Sequence, residues 1–427
     1  MIKIKEYKEP QHNLSTEKFF SPKSLYLPLS QHTGKPSSLC VKEKEVVEES
    51  QLIAEKDALI SSNLHSPKKG VIFEITDFNH PVLKKARTII LESQAEEKEY
   101  KTRPIEGFSK GELLKIIEEK GIVGMGGAAF PASVKLNPPK KVDTLIINGC
   151  ECEPYLACDY RLMVENIEEI FKGIEIICKI IEPREVFFAI EDNKEEAIKN
   201  INLCLSLKKF NLPKAKLVVL KTAYPQGGEK QLIYSITKRK VPPKGLPFDV
   251  GCLVQNVATC FAIYEAVYLD KPLIERIVSF CGDALKEPKN LWVKIGTTLS
   301  ELFERNVLQF KKEPKKIICG GPMMGTALDG LDYPILKATG GFLFLSQEID
   351  LEEETSCIRC ARCVDICPMQ LLPLEFVKRV KIEDFDPLEE FNIVDCIECG
   401  SCAYVCPAKI PLVHYIRIGK KYAINNK

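Results

Sequence analysis

Cys357-Ile358-Arg359-Cys360-Ala361-Arg362-Cys363-Val364-Asp365-Ile366-Cys367-Pro368 and its near-copy Cys396-Ile397-Glu398-Cys399-Gly400-Ser401-Cys402-Ala403-Tyr404-Val405-Cys406-Pro407 decide how the last part of this chain folds. Both are C-x2-C-x2-C-x3-C-P runs, the ferredoxin pattern for holding [4Fe-4S] clusters. Three thiolates from a tight loop cap three irons of a cubane. The fourth cysteine, on a short helix after the loop, reaches to the other cluster. The expected ligand sets are therefore Cys357, Cys360, Cys363 and Cys406 for one cluster and Cys396, Cys399, Cys402 and Cys367 for the other. Paired zinc sites or disulfides are the alternatives, but zinc knuckles use two C-x2-C pairs and need neither a third cysteine three residues on nor a trailing proline. The spacing predicts an α-helical, two-cluster ferredoxin-like unit over 350–427, led in by the acidic run at 352–354, and points to single-electron chemistry.

The 427 residues leave room for several domains. A formal net charge of +1 gives no pull toward nucleic acid. No apolar run is long enough to span a bilayer. The nearest candidate, 167–181, carries Glu168, Glu169, Lys172, Glu175 and Lys179 and reads as an amphipathic helix. Met1-Ile2-Lys3-Ile4-Lys5-Glu6 shows neither the apolar core nor the cleavage site of a signal peptide. The expectation is a cytoplasmic chain without a membrane span, attached to a membrane only through a partner. Ten further cysteines, among them Cys150, Cys152, Cys158 and Cys319, lie in apolar or Gly-rich context, as small buried hydrophobes do in a reducing compartment. Next to oxygen-labile clusters, such usage fits an anaerobe.

The pattern along the chain predicts an α/β multidomain protein. Residues 1–29 read as a polar, extended arm with one strand at 24–29. Residues 30–95 carry short strands at 38–41, 52–54, 59–61, 70–75 and 88–91, as in a lipoyl-like β sandwich. No Asp-Lys-Ala or Met-Lys-Met tip is present, so Lys56, Lys68 and Lys69 are expected in solvent rather than acylated. From 105 to 270 strands at 142–148, 186–190 and 216–220 alternate with helices at 110–120, 159–181, 194–207 and 229–238, which predicts a Rossmann-like parallel sheet. Ser109-x-x-Glu112 is a capping box for the first of these helices. Residues 271–346 are strand-rich around one helix at 298–305 and suggest a β-grasp domain.

Within 105–270, Gly121-Ile122-Val123-Gly124-Met125-Gly126-Gly127-Ala128-Ala129-Phe130-Pro131 follows a helix, so it is not the dinucleotide fingerprint, which must follow a strand. Its glycines still allow backbone N–H groups to approach an anion or a flat ring, and Lys135 can neutralise a phosphate. A plain structural turn is as good a reading of this loop alone. The strand at 142–148 delivers Asn148-Gly149-Cys150-Glu151-Cys152-Glu153-Pro154-Tyr155, and that at 216–220 delivers Tyr224-Pro225-Gln226-Gly227-Gly228-Glu229. Carboxyl ends of strands and helix N-termini are where open α/β sheets bind ligands. Each piece has a bland reading, Glu151 and Glu153 as a solvated turn and Tyr224 as a core edge, but together they favour a nucleotide-like site. Cys150-x-Cys152-x5-Cys158 offers only three thiolates and reads as buried thiols rather than a metal site. Arg417, Lys420 and Lys421 read as a solvated terminus, with a docking surface as the alternative.

These motifs, with Val254-x-Asn256-Val257-x-Thr259, resemble the flavin/NADH-binding subunit of respiratory complex I. They resemble more fully the RnfC subunits of ion-translocating oxidoreductases. That likeness runs over nearly the whole chain, including residues 151–155, 319–325 and 411–417, and includes both cysteine quartets. The resemblance implies FMN on the glycine loop, with Gly124, Gly126, Gly127, Lys135, Asn148, Glu151, Tyr224, Gly227, Asn256 and Thr259 as its contacts. It implies NADH over the flavin near Phe130, with Glu153 and Glu229 in the dinucleotide pocket. It also implies membrane-embedded and ferredoxin-like partner subunits of an Rnf complex, and a peripheral place on the cytoplasmic face of the membrane. The chain departs from the complex I pattern at Cys150, Gly228 and Gln255, where that pattern has Asp, Glu and Asn. It also lacks the Gly-Gly and His-Pro-Pro element of many RnfC arms.

The implied chemistry is electron transfer between NADH, FMN and the clusters, the flavin converting two-electron into one-electron steps. Two alternatives stay open: a donor to a soluble reductase of the proline or cobalamin type, and a non-catalytic iron–sulfur relay or assembly subunit.

Overall fold

The computed structural model describes residues 1–347 and 353–425; Glu352 of the acidic run, with the rest of 348–352 and residues 426–427, lies outside them. Four parallel strands, in the spatial order Lys214–Leu220, Glu185–Glu191, Thr144–Asn148 and Cys252–Asn256, form the central sheet. Leu145, Ile146 and Ile147 are all buried, as a strand covered on both faces requires. One face packs on the helices Lys110–Glu119, Ile167–Ile181 and Val257–Tyr268. The other packs on Glu229–Thr237 through Leu232 and Ile233. Ser109 closes the capping box with Glu112 at the head of the first helix.

Two helical expectations are corrected. The helix expected over 159–181 is two, Cys158–Glu165 and Ile167–Ile181, broken at Asn166, whose φ of −136° is non-helical. The second must lie close on its neighbour, since Gly173 leaves no space for a Cβ against the Cys260 carbonyl. The Val257–Tyr268 helix had no predicted counterpart because it is buried on nearly every face and shows no polar stripe to betray a period.

The N-terminal part holds an antiparallel sheet of Ser24–Pro28, Lys84–Ser93, Gly70–His80 and Val46–Val47 beside a three-stranded one of Ser38–Leu39, Leu52–Glu55 and Leu64–His65. The strand expected at 59–61 is a turn; Leu59 is exposed there, and the His32 ring holds Ser61 and Ser62. Lys56 pairs with Glu118 and Lys69 with Glu48, near the surface. Lys68, expected in solvent, is instead buried, its amine directed at the Ala95 carbonyl.

A six-stranded mixed sheet follows, in the order Glu17–Phe19, Lys289–Lys294, Glu275–Cys281, Gly341–Leu345, Lys316–Cys319 and Thr326–Leu328. Its edge strand Glu17–Phe19 comes from the arm and runs parallel to Lys289–Lys294.

Lys337 joins these parts from inside. It is buried, and its Nζ donates to the Asn63 carbonyl at 2.6 Å and to the Gly121 carbonyl at 2.8 Å, at the start of the glycine loop. Burial lowers its pKa to about 7 from 10.5. A neutral amine still has two N–H groups for the two carbonyls. Because the folded value lies below the unfolded one, the unfolded chain binds the extra proton between pH 7 and about 10, and stability should rise with pH across that window. Lys337→Met should flatten the slope by up to about 1.4 kcal/mol per pH unit, read as urea midpoints against pH.

Candidate functional site

Asn148 and Asn256 are register partners at the carboxyl ends of adjacent parallel strands, where the ligand crevice of an open α/β sheet lies. Asn256 caps the Val257–Tyr268 helix, its Oδ1 accepting from the Ala258 N–H at 2.8 Å, and its Nδ2 donates to Asp159 Oδ2 at 2.6 Å. The glycine loop lies over it. A Cβ on Gly126 would come within 2.7 Å of Asn256 Nδ2, and the Met125 N–H donates to Thr259 Oγ1 at 3.0 Å. Gly124 is closed against Phe130 by an N–H···O bond of 2.9 Å, while Gly126, Gly127 and Ala128 are exposed. On the other side, Asn148 Nδ2 donates to the Gly227 carbonyl at 2.9 Å, and its Oδ1 accepts from the Cys150 N–H at 3.0 Å. Gly124, Gly126, Gly127, Phe130, Asn148, Gly227, Asn256 and Thr259 thus surround one floor with an open glycine rim, a shape that suits a flat ring and its phosphate tail. Gly126→Ala should weaken flavin binding by about tenfold, since its methyl would displace Asn256; fluorescence titration with FMN reads this directly.

Lys135 and Glu229 meet at the rim as an ion pair, Nζ to Oε1 2.8 Å. The remaining expected contacts are spent within the protein. Glu151 is buried and caps the Cys158–Glu165 helix, accepting from the Asp159 N–H at 3.0 Å and the Tyr160 N–H at 3.3 Å. Glu153 accepts from the Met323 and Met324 N–H groups at 3.2 and 2.9 Å, in the loop of the six-stranded part. Burial raises its pKa, and those two amides pull the other way. Tyr224 is buried and donates its hydroxyl to the Cys399 carbonyl at 2.7 Å, inside the second quartet.

Sequence reasoning missed Asp159, the carboxylate beside Asn256. Burial, with Glu151 adding to it, pushes its pKa up to about 6. Its position on the first turn after the Glu151–Tyr155 motif was the available signal. Glu151, Cys158 and Asp159 converge within 4.8 Å, but the Cys158 thiol donates to Glu151 at 3.2 Å and Asn256 holds Asp159, so they form a hydrogen-bonded cluster. Burial raises the pKa of Cys150, Cys152 and Cys158, with Cys152 pushed up to about 12, so all three remain thiols.

In the cysteine-rich part, the short helices Arg362–Asp365 and Ser401–Tyr404 follow two loops of matching backbone. Arg359 and Ala361 in one, Glu398 and Gly400 in the other, are left-handed at φ 56°, 60°, 54° and 79°. Cys367, Cys396, Cys399 and Cys402 line one cavity with Phe376 and Ile416. The Cys363 thiol feels Cys406 and Cys357, whereas Cys402 feels Cys396, Cys399 and Cys367. Cys367, Cys396, Cys399 and Cys402 thus gather at one cavity, and Cys363 lies near Cys406 and Cys357, all-sulfur surroundings that suit iron–sulfur ligation. The Cys367/396/399/402 set is inner: Cys399 and Cys402 are buried. Of the other four, Cys357 and Cys360 are exposed and Cys363 and Cys406 half-buried. Arg417 and Lys420, expected as part of a solvated terminus, fold back on the second quartet. Both hold Glu398, at 2.9 and 2.8 Å, and Lys420 also donates to the Cys396 carbonyl at 2.8 Å.

The inner loops seat on the parallel-sheet part. Lys230 pairs with Asp395 at 3.1 Å, Gln231 Nε2 donates to the Pro368 carbonyl at 3.3 Å, and the Lys244 N–H donates to Asp395 at 2.9 Å. Gly400 lies against the six-stranded part instead: a Cβ there would come within 2.7 Å of the Met323 carbonyl.

Known protein families match three stretches of the chain. Residues 2–96 match the RnfC barrel sandwich hybrid domain, 117–265 the Nuo51 FMN-binding domain and 356–410 a 4Fe-4S dicluster domain. The chain is 46% identical over 93% of its length to the C subunit of the proton-translocating ferredoxin:NAD(+) oxidoreductase complex of Clostridium ljungdahlii, covering 87% of that protein. It is 36% identical over 94% of its length to the Na(+)-translocating counterpart of Acetobacterium woodii, covering 91% of it. It is 41% identical over 92% of its length to the C subunit of the ion-translocating oxidoreductase complex of Haemophilus influenzae strain 86-028NP, of which it spans only 59%. The NAD+-reducing [NiFe]-hydrogenase in its H2-reduced state shares the fold over 73% of this chain and 61% of its own, at a TM-score of 0.50 and 17% identity. No helix among the described residues is long and apolar enough to cross a membrane. With such identity over nearly its whole length, a flavin-binding domain and an iron–sulfur domain in register, the chain belongs to the RnfC family of oxidoreductase subunits.

Proposed function

We propose that this chain passes electrons between NADH, an FMN on the Asn148–Asn256 floor, the inner cluster and the outer cluster, in that spatial order, as a subunit of a membrane-associated ferredoxin:NAD oxidoreductase. The observation that carries the order is the Tyr224 hydroxyl on the Cys399 carbonyl, which ties the flavin-side turn directly to the inner cluster loop. FMN, when bound, supplies exchange between hydride and single-electron steps. The protein's part is positional. Asn148, Asn256 and Thr259 fix the floor, the glycine loop admits the ring edge, and Lys135, freed from Glu229, meets the phosphate. The covered inner set and the exposed Cys357 and Cys360 make the outer cluster the exit toward a ferredoxin-like partner, with membrane-embedded subunits beyond it. The modules in this reading are an arm at 1–29, a lipoyl-like sandwich at 30–95, a Rossmann-like FMN/NADH domain at 105–270, a β-grasp-like domain at 271–346 and the two-cluster unit at 350–427. The subunit would sit on the cytoplasmic face of the membrane.

A second reading has one observation behind it. Glu153 and Glu229, the residues implied for the dinucleotide, are both engaged within the chain, as a relay subunit without an NADH pocket would have them. An anaerobic NADH titration of the chain reconstituted with FMN, iron and sulfide separates the two. Bleaching of flavin and cluster absorbance together is expected. Clusters reduced by dithionite but not by NADH would leave the relay.

A further inference from the structure

We propose that residues 1–12 are a strap belonging to the flavin site, with Lys8 its positioning residue; this rests on the flavin reading above. Sequence matching assigns this stretch to the barrel sandwich, but its contacts lie elsewhere. Ile2 pairs with Tyr224 through two backbone hydrogen bonds of 2.9 and 2.7 Å. The Tyr7 N–H donates to the Pro154 carbonyl at 2.8 Å, and its ring stacks on Tyr155 at 4.9 Å. Gln11 Nε2 donates to the Tyr155 carbonyl at 2.9 Å. Lys8 drives its amine into the interior, 6% exposed, and donates to the Glu151 carbonyl.

The two turns that flank the flavin floor, after Asn148 and before Gly227, have no ladder of their own, so the strap supplies partners for their carbonyls. Burying an ammonium is costly and is retained only where something specific is held. Here it holds the peptide between Cys150, which is fixed to Asn148, and Glu153. Beyond the strap, Glu17–Phe19 enters the six-stranded sheet, so the strap is anchored at both ends.

The test is FMN affinity in the full chain with both clusters reconstituted, by fluorescence titration. Lys8→Met should weaken FMN by about tenfold, and deletion of residues 1–12 by about a hundredfold. Lys8→Arg, which keeps a donor, should bind within about threefold of the unaltered chain, and Lys3→Met, on the exposed side of the same arm, within about twofold. Cluster absorbance and reduction by dithionite should be unchanged in the point variants, which a general loss of folding would not allow. FMN affinity within about twofold in Lys8→Met with clusters intact would overturn the proposal, whatever the deletion does. An unaltered chain that binds no FMN would overturn the flavin reading itself.

Discussion

Cys399→Ser should stop electrons at the flavin. With the inner cluster lost, NADH would still bleach FMN, but reduction of the outer cluster and of an external iron–sulfur acceptor should fall by more than about a hundredfold, since even the outer-shell partners of metal ligands are worth about 10–100-fold. The reasoning is spatial. Cys399 is buried at the seat between the cysteine-rich part and the parallel sheet, its carbonyl held by Tyr224, while Cys357 and Cys360 face outward. Asp395 and Pro368, beside the inner loops, occupy the seat formed by Lys230, Gln231 and Lys244, and in the proposed order the inner cluster stands between the floor and the outer one. Single-turnover absorbance after anaerobic mixing with NADH checks this, with iron content confirming that one cluster remains.

Lys271→Met should cost the chain about 3–5 kcal/mol of stability, the usual result of removing one partner from a buried ionic cluster. Lys271 Nζ lies 2.6 Å from both Glu265 and Glu275, and Lys294 Nζ lies 2.7 Å from Glu275 and 3.4 Å from Glu49. Tyr100 donates its hydroxyl to Glu49 at 2.9 Å. Glu265 comes from the last helix of the parallel-sheet part, Glu275 and Lys294 from the six-stranded sheet, and Glu49 from the N-terminal sandwich, so the cluster joins three parts at once. Burial already raises the pKa of Glu265, and the two ammoniums hold that of Glu275 down. Without Lys271 the Glu265 carboxyl would rise further above its unfolded value, so the folded variant would bind the extra proton and lose stability as pH rises. The deficit should therefore shrink toward pH 5, and adding Glu265→Gln should recover part of it at pH 7. Thermal or urea unfolding across that range reads both.

What could be read from the chain differs by the kind of signal. The cysteine quartets are local and geometric: four thiolates at fixed spacing imply a loop and a short helix, and each quartet has both. The strands ending at Asn148 and Leu220 announced themselves as apolar runs closed by Gly-rich turns. The Val257–Tyr268 helix did not, because burial on nearly every face erases the period by which helices are recognised. Glu151, Glu153 and Tyr224 stood out in the sequence as strand-end polar residues, but not as the residues that cap a helix, hold the Met323 loop and reach the Cys399 carbonyl. The partners of Glu153 and Tyr224 lie 170 and 175 positions away in sequence, and no local pattern encodes them. Lys8 left no trace at all, one of three lysines among the first eight residues of a polar arm, whose burial depends on other segments packed around it.

The central claim, that the inner cluster takes electrons from the flavin before the outer one, is tested most directly in Cys360→Ser. The measurement is stopped-flow reduction by NADH of that variant reconstituted with FMN, iron and sulfide, following flavin and cluster absorbance separately. The account predicts that flavin and the remaining cluster bleach in succession at the rates of the unaltered chain, while transfer to an external acceptor is lost. A remaining cluster that dithionite reduces but NADH leaves oxidised, beside a fully bleached flavin, would contradict it.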